Sequence, residues 1–168
     1  AYDQKKAEQV KKELLSQITE KDKLKKEYWP LFEDGTCTVG TPDFNLILAN
    51  IPTFEKNIGK EKLDEFLFSA YSRALFPHLN RNKERQTVSL DELKQQIGKL
   101  DLQKKNDLLS LCDIAGLVAQ GDVNQLVSKV EEKAATLTGN DLSSMLMAFG
   151  AMQDKATKAD YNLSLIHI

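Results

Sequence analysis

The residues that could perform chemistry in this sequence are few and lie far apart along the chain. His78 directly follows Pro77, where a helical pattern ends, and no sequence signal places an acid–base partner beside it. Gly59-Lys60-Glu61 lacks the Ser or Thr that follows the lysine of a phosphate-binding P-loop. No motif for zinc, calcium or a dinucleotide occurs either. The sequence therefore predicts no enzyme activity, no cofactor and no metal site, and we interpret His78 as a solvated loop residue.

The two cysteines form neither a CxxC motif nor a cluster with histidine. Cys112 lies in the apolar run Leu108–Cys112, where a free cysteine usually behaves as a small buried hydrophobic residue. Cys37 follows the turn-like segment Asp34-Gly35-Thr36. The sequence leaves open a disulfide between Cys37 and Cys112, which would be typical of an oxidising compartment.

One compact basic patch is a candidate interface. It consists of Arg81, Lys83 and Arg85 within a polar segment that we predict to be the longest loop, residues 78–87. Three cations so close together are suited to phosphate groups or to an acidic protein surface. The alternative interpretation is an ordinary solvated loop.

An aromatic cluster is the second candidate interface. Tyr28, Trp29 and Phe32 lie close together around Pro30, which predicts a helix boundary or kink. Aromatic side chains at a helix end often anchor protein interfaces. Packing within the protein's own core is the alternative.

Composition and charge restrict the class of protein. The chain of 168 residues is 41% hydrophobic and 29% charged, which is too apolar for disorder and long enough for a proper core. Its net charge is −2, from 23 basic and 25 acidic residues, so the electrostatic footprint of a nucleic-acid-binding protein is missing. No stretch approaches the roughly 20 apolar residues that a membrane-spanning helix needs.

The spacing of apolar residues predicts an all-α fold of antiparallel helical hairpins, stacked as a short α-solenoid or an irregular bundle of about seven or eight helices. Thr41-Pro42-Asp43 and Ser89-Leu90-Asp91-Glu92 have the residue types that begin helices. Gly121-Asp122 is typical of one helix ending and the next beginning. The helices are predicted over 3–27, 42 to an end or bend at Pro52, on to a stop at Gly59, 63 to a stop at Pro77, 90–97, 103–119, 122–136 and 140–152.

We divide the chain into a charged N-terminal helix with an aromatic linker (1–40), a helical-hairpin domain (41–162) and a tail (163–168). The tail corresponds to the codons CTG TCT CTT ATA CAC ATC, which resemble the transposase end sequence of library adapters. We therefore expect the native sequence to depart near Asn162, the alternative being a genuine apolar tail. A chain that begins with Ala1-Tyr2 is typical of a processed form, and we expect that a transit peptide has been removed.

A faint internal repeat supports the hairpin arrangement. Asp107–Leu111 and Asp141–Met145 begin 34 residues apart and match at Asp, Leu and Ser, and Gly116 and Gly150 follow at matching positions. Glycine inside a helix usually allows a neighbouring helix to approach closely. Coincidence between two amphipathic helices is the alternative.

Two segments, Asp141–Gly150 and Thr41–Asn45, resemble the organellar helical-hairpin repeats of the pentatricopeptide and octotricopeptide class. This resemblance implies a mitochondrial or chloroplast α-solenoid. Some members of the class bind RNA, and others are protein-binding subunits, including a pentatricopeptide-like accessory subunit of mitochondrial ATP synthase.

From the resemblance we expect a non-catalytic accessory subunit of a large mitochondrial complex, respiratory or ATP synthase, whose partners are other protein subunits and not a small-molecule substrate. One alternative is an RNA-binding helical-repeat protein of an organelle or mitoribosome. Another is a helical subunit of a photosystem in the thylakoid lumen, which a disulfide would favour.

Overall fold

A computed structural model describes residues 3–134, and the regular secondary structure of these residues is helical, as predicted. Within them, no strand occurs and nine α-helices follow one another, so the all-α class is confirmed. The predicted helix 140–152, the second copy of the internal repeat and the tail 163–168 lie outside the described residues. The chain divides into two compact units. The boundary along the sequence falls between Ala70 and Tyr71, inside one continuous helix.

The N-terminal unit contains five complete helices and the first half of a sixth. They are α1 (Gln4–Gln17), α2 (Glu20–Lys23), α3 (Trp29–Glu33), α4 (Pro42–Ala49), α5 (Ile51–Ile58) and the start of α6 (Lys60–Leu79), with a 3-10 helix at Lys26–Tyr28. Thr41 caps α4 as predicted, because its hydroxyl accepts a hydrogen bond from the Phe44 amide. Pro52 lies in the first turn of α5, so of the two predicted outcomes, an end or a bend, the chain shows an end and a new helix.

Aromatic packing forms the core of this unit. The Trp29 ring centroid lies 4.9 Å from that of Phe66, 5.8 Å from that of Phe54 and 6.1 Å from that of Phe32. These rings come from three helices, α3, α5 and α6, and all four are buried. Tilted and edge-on contacts of this kind stabilise a core beyond the area that they bury.

The predicted helix over residues 3–27 is wrong in its second half. Helix α1 ends at Gln17, Ile18 has extended backbone, and Thr19 caps the new helix α2 by accepting a hydrogen bond from the Asp22 amide. The cap redirects the chain, and Lys23 is consequently buried, with 6% of its surface exposed.

Two carboxylates hold the buried Lys23 ammonium group. Its Nζ donates to Asp43 Oδ1 at 3.0 Å and to Glu20 Oε1 at 3.2 Å. Burial alone would lower the pKa of Lys23, but these hydrogen bonds outweigh it and raise the pKa above its ordinary value. The charge therefore persists at neutral pH and ties α2 to the first turn of α4.

The C-terminal unit contains the second half of α6, a 3-10 helix at Lys83–Arg85 and three further helices. These are α7 (Leu90–Lys99), α8 (Lys105–Gln120) and α9 (Val123–Ala134). Gly121 ends α8 in a left-handed conformation with φ of 74°, and its amide donates to the Leu117 and Val118 carbonyls. Asp122 then caps α9 by accepting from the Gln125 amide, which confirms the predicted stop and start.

Helix α8 is the central element of the C-terminal unit, because it packs against both α7 and α9. Its buried apolar residues cover a wide face, as expected for a helix with neighbours on two sides. They are Leu108, Leu111, Cys112, Ile114, Ala115 and Val118. The short connections between α7, α8 and α9 make successive helical hairpins.

Pro77 does not close α6, contrary to the sequence-based expectation. The helix continues to Leu79, and the Asn80 amide still donates to the Phe76 carbonyl. A proline removes only its own backbone donor, and the residues that follow it keep theirs. Leu79 is therefore carried into the core, with 2% of its surface exposed.

We predict that removing Asp43 destabilises the fold more than removing Lys23. Asp43→Asn leaves a buried ammonium without its nearest carboxylate and is expected to lower the unfolding free energy by about 1–3 kcal/mol. Lys23→Met keeps the apolar stem and leaves the two carboxylates to solvent, so its cost is smaller. Urea unfolding measures both, with the exposed Lys26→Met as control. Equal losses for Lys23→Met and Asp43→Asn would contradict this account.

Candidate docking surfaces

The basic patch lies on a loop that is built around one backbone carbonyl. Because α6 ends at Leu79, no backbone amide of the helix donates to the Pro77 carbonyl. It instead accepts from the Asn82 amide at 2.8 Å and from Gln86 Nε2 at 3.0 Å. The His78 ring closes the same loop, with Nε2 lying 2.8 Å from the Val88 carbonyl oxygen. His78 is thus a half-buried structural residue, and the interpretation as a solvated side chain is wrong.

This loop presents the three cations that the sequence singled out. Lys83 and Arg85 are exposed on the 3-10 helix, and Arg81 is half-buried. In the described part of the chain, none of the three forms an ion pair. Arg81 also has a positive φ of 60°, a backbone conformation that is uncommon for residues other than glycine. The exposed Glu84 lies between Lys83 and Arg85, so the loop has three cations and one acid and keeps an excess of positive charge in a fixed backbone conformation.

The aromatic candidates belong mainly to the core. Trp29 and Phe32 have 3% and 0% of their surface exposed, so the prediction that they anchor an interface is wrong for these two residues. Their packing against Phe54 and Phe66 is the reason, since four rings can be buried together only inside the unit. Tyr28 is half-buried.

A shallow groove lies between α1 and α3 in the N-terminal unit, with a volume of about 650 Å³. Its apolar lining comes from Ala7, Val10 and Leu14 of α1 and from Leu31 of α3. Val10 and Leu14 are 50% and 47% exposed, because α1 turns Leu15 into the core instead. The apolar stripe of α1 was visible in the sequence, but which of its residues would be buried was not.

An ion pair between Lys11 and Asp34 fixes this groove. Lys11 of α1 contacts Asp34, which follows α3, and Asp34 also accepts from the Thr36 amide at 3.0 Å and the Thr36 hydroxyl at 2.7 Å. Burial alone would raise the pKa of Asp34, but the hydrogen bonds from Lys11 and Thr36 outweigh it and lower the pKa.

A second groove of about 650 Å³ lies between α7, α8 and α9, and no sequence pattern had indicated it. Its lining mixes polar and apolar surface, and it includes the exposed ion pair of Lys94 and Asp113 at 3.3 Å. Gly116 lies in the lining, and an added Cβ there would meet no atom within 4 Å. The prediction that Gly116 allows close helix approach is therefore wrong, because the groove occupies that side of α8.

Cys37 and Cys112 are both buried and neither is in a disulfide, so the bridge between them that the sequence left open is not formed. Burial, with the nearby Asp113 carboxylate, raises the pKa of Cys112 to about 11. A thiol that stays protonated at neutral pH is a poor nucleophile. Burial also raises the pKa of Tyr71, whose hydroxyl donates to Gln96 Oε1 at 2.8 Å.

Between residues 3 and 134, no three His, Cys, Asp or Glu side chains are grouped so that they could hold a metal ion. In the same range, no helix combines the length and the apolar character needed to cross a membrane.

No family model matches this chain, and neither does any curated protein or solved structure.

We predict that Arg81→Gly is more stable than Arg81→Ala by about 1 kcal/mol. Both variants lose the guanidinium group, but only glycine is free of the Cβ penalty at φ of 60°. Chemical denaturation of the two variants under identical conditions gives the difference. Equal stability of the two variants would mean that residue 81 does not keep its positive φ in solution.

We also predict that Asp34 makes stability depend on acid pH. The pKa of Asp34 is lower in the folded chain, so its stabilising effect is present above the ordinary pKa of about 4 and is lost as pH falls through the folded value. The difference in unfolding free energy between wild type and Asp34→Asn should therefore shrink below about pH 4. Urea unfolding over a pH series tests this, with the exposed Glu27→Gln as control. A difference that stays constant with pH would contradict it.

Proposed function

We propose that this chain is a non-catalytic accessory subunit of a large organellar complex, a mitochondrial respiratory complex or ATP synthase, and that it acts by docking to other subunits. The observation that carries the proposal is the basic loop, residues 80–88. Arg81, Lys83 and Arg85 stand there without carboxylate partners in the described chain, on a backbone that Pro77 and Gln86 hold in place.

A fixed loop of this kind is suited to an acidic surface on a neighbouring subunit. Cations that have no internal partner lose nothing within their own chain when they form ion pairs across an interface. A loop that is already ordered also avoids much of the entropy cost of binding. Charge complementarity of this type speeds association and selects the partner more than it strengthens the final complex.

The same cations could contact phosphate groups, and RNA binding is the competing function. The chain as a whole carries a net charge of −2, which opposes approach to a polyanion. An acidic patch on a protein meets the three cations locally without requiring a basic surface around them. This favours a protein partner.

We predict that reversing two charges of the loop weakens docking. The double variant Lys83→Glu/Arg85→Glu should lose retention by its complex, with a dissociation constant raised about tenfold or more, since two exposed ion pairs become two repulsions. The matched control is Arg73→Glu/Lys99→Glu, which makes the same change of charge at two exposed positions of α6 and α7.

The measurement uses tagged full-length protein and mitochondrial extract, with retained subunits identified by mass spectrometry before and after nuclease treatment. Nuclease-resistant recovery of a defined complex that the loop variant loses and the control keeps supports the proposal. Retention of RNA with a steep salt dependence, lost in the same loop variant, would establish the competing function. Equal recovery with both double variants would refute a role for the loop.

A further inference from the structure

The exposed apolar face of α1 has charged residues along one edge. Their charges are complementary to those of the same edge on a second, antiparallel α1 helix. The face is centred on Val10 and Leu14, which are about half exposed, with Ala7 at its margin. Successive residues of a helix are separated by about 100°, so Lys6 and Glu13 fall on the same edge of this face, on either side of Val10 along the helix axis. Both side chains are exposed.

Glu13 has no basic residue at helical spacing within α1. The positions three and four residues away are Gln9, Val10, Ser16 and Gln17. Lys12, on the far side of the helix, does have an oppositely charged residue at helical spacing, because Glu8 lies four residues before it. In the described chain neither Lys6 nor Glu13 forms an ion pair. Asp3 lies three residues before Lys6, but its carboxylate accepts from the Lys6 backbone amide and forms no ion pair with the Lys6 side chain. The edge of the apolar face thus has one cation and one anion that can pair with another molecule.

We infer that this face binds the same face of a second copy of the chain, with the two α1 helices antiparallel. A two-fold axis near Val10 places Lys6 of each copy opposite Glu13 of the other, giving two equivalent ion pairs along one edge. Val10 then meets Val10, and Leu14 meets Ala7. The other edge does not oppose the pairing, because Lys11 is already neutralised by Asp34 of its own chain.

The expected dimer is weak. A helix of 14 residues is about 21 Å long, so two of them bury less area than the roughly 1,200 Å² of a standard stable interface. The inference does not rest on the proposed function, since α1 and the basic loop belong to different units and are altered by different substitutions.

The experiment is sedimentation velocity of the full-length chain over a concentration series up to the limit of solubility. Wild type should shift from monomer towards dimer as concentration rises. Lys6→Glu and Glu13→Lys should each raise the dissociation constant about tenfold, because each turns two attractions into two repulsions. The double variant Lys6→Glu/Glu13→Lys should recover wild-type association, since the reversed charges still match.

Mixing the two single variants gives a sharper test. Lys6→Glu leaves two acids on the edge and Glu13→Lys leaves two lysines, so the mixture should associate although each variant alone does so poorly. Neither substitution opposes the helix dipole, since an acid near the start of α1 and a lysine nearer its end both stabilise a helix. Weak association therefore cannot come from unfolding of α1, which circular dichroism verifies.

Two controls complete the design. Lys12→Glu makes the same charge change on the far side of α1 and should leave association unchanged. Leu14→Gln removes an exposed apolar contact and should give monomer. The inference is overturned by a wild type that stays monomeric throughout, by association that ignores the single charge reversals, or by failure of the double variant and of the mixture to restore it. A monomeric chain that captures another protein through Leu14 would also overturn it.

Discussion

A short helix in water is stable only when it packs an apolar face against something else. The described helices meet this requirement to different degrees. Helix α8 is buried on two sides, by α7 and by α9, and its packed residues define the C-terminal unit. Helix α1 buries only Leu15 among its residues and is otherwise fixed by the pair of Lys11 and Asp34. Its remaining apolar face is exposed for this reason, and the groove beside α3 follows directly.

The basic residues fall into two groups, according to whether packing of the chain brings a carboxylate to them. Lys23 and Lys11 each pair with a carboxylate on another segment of the chain, Asp43 and Asp34 respectively, so they serve the fold. Lys83 and Arg85 have no partner in the described chain and stand on an ordered loop. These residues look alike in the sequence, because each is a lysine or an arginine in a polar stretch. What distinguishes them is whether the fold brings a carboxylate to them, and only the second kind is available to another molecule.

The loop of the C-terminal unit shows how a local backbone feature can prepare a surface. Pro77 lies close enough to the end of α6 that the helix continues past it, and its carbonyl is left without a helical donor. Asn82 and Gln86 supply two donors, which draws the intervening residues into a tight turn. Arg81 takes a left-handed conformation within that turn. The basic patch thus has a defined shape because a terminal carbonyl needed partners.

The sequence by itself determined the helical class and several helix ends, because caps at Thr41 and Asp122 and the stop at Gly121 act through neighbouring residues. It also identified the basic patch, since that cluster is contiguous. Only the tertiary structure decided that Trp29 is core and that Lys23 is buried, because both depend on side chains that lie far away in sequence. An apolar periodicity reports that a face will be covered, but not whether by the same chain, and the exposed stripe of α1 is the clearest instance.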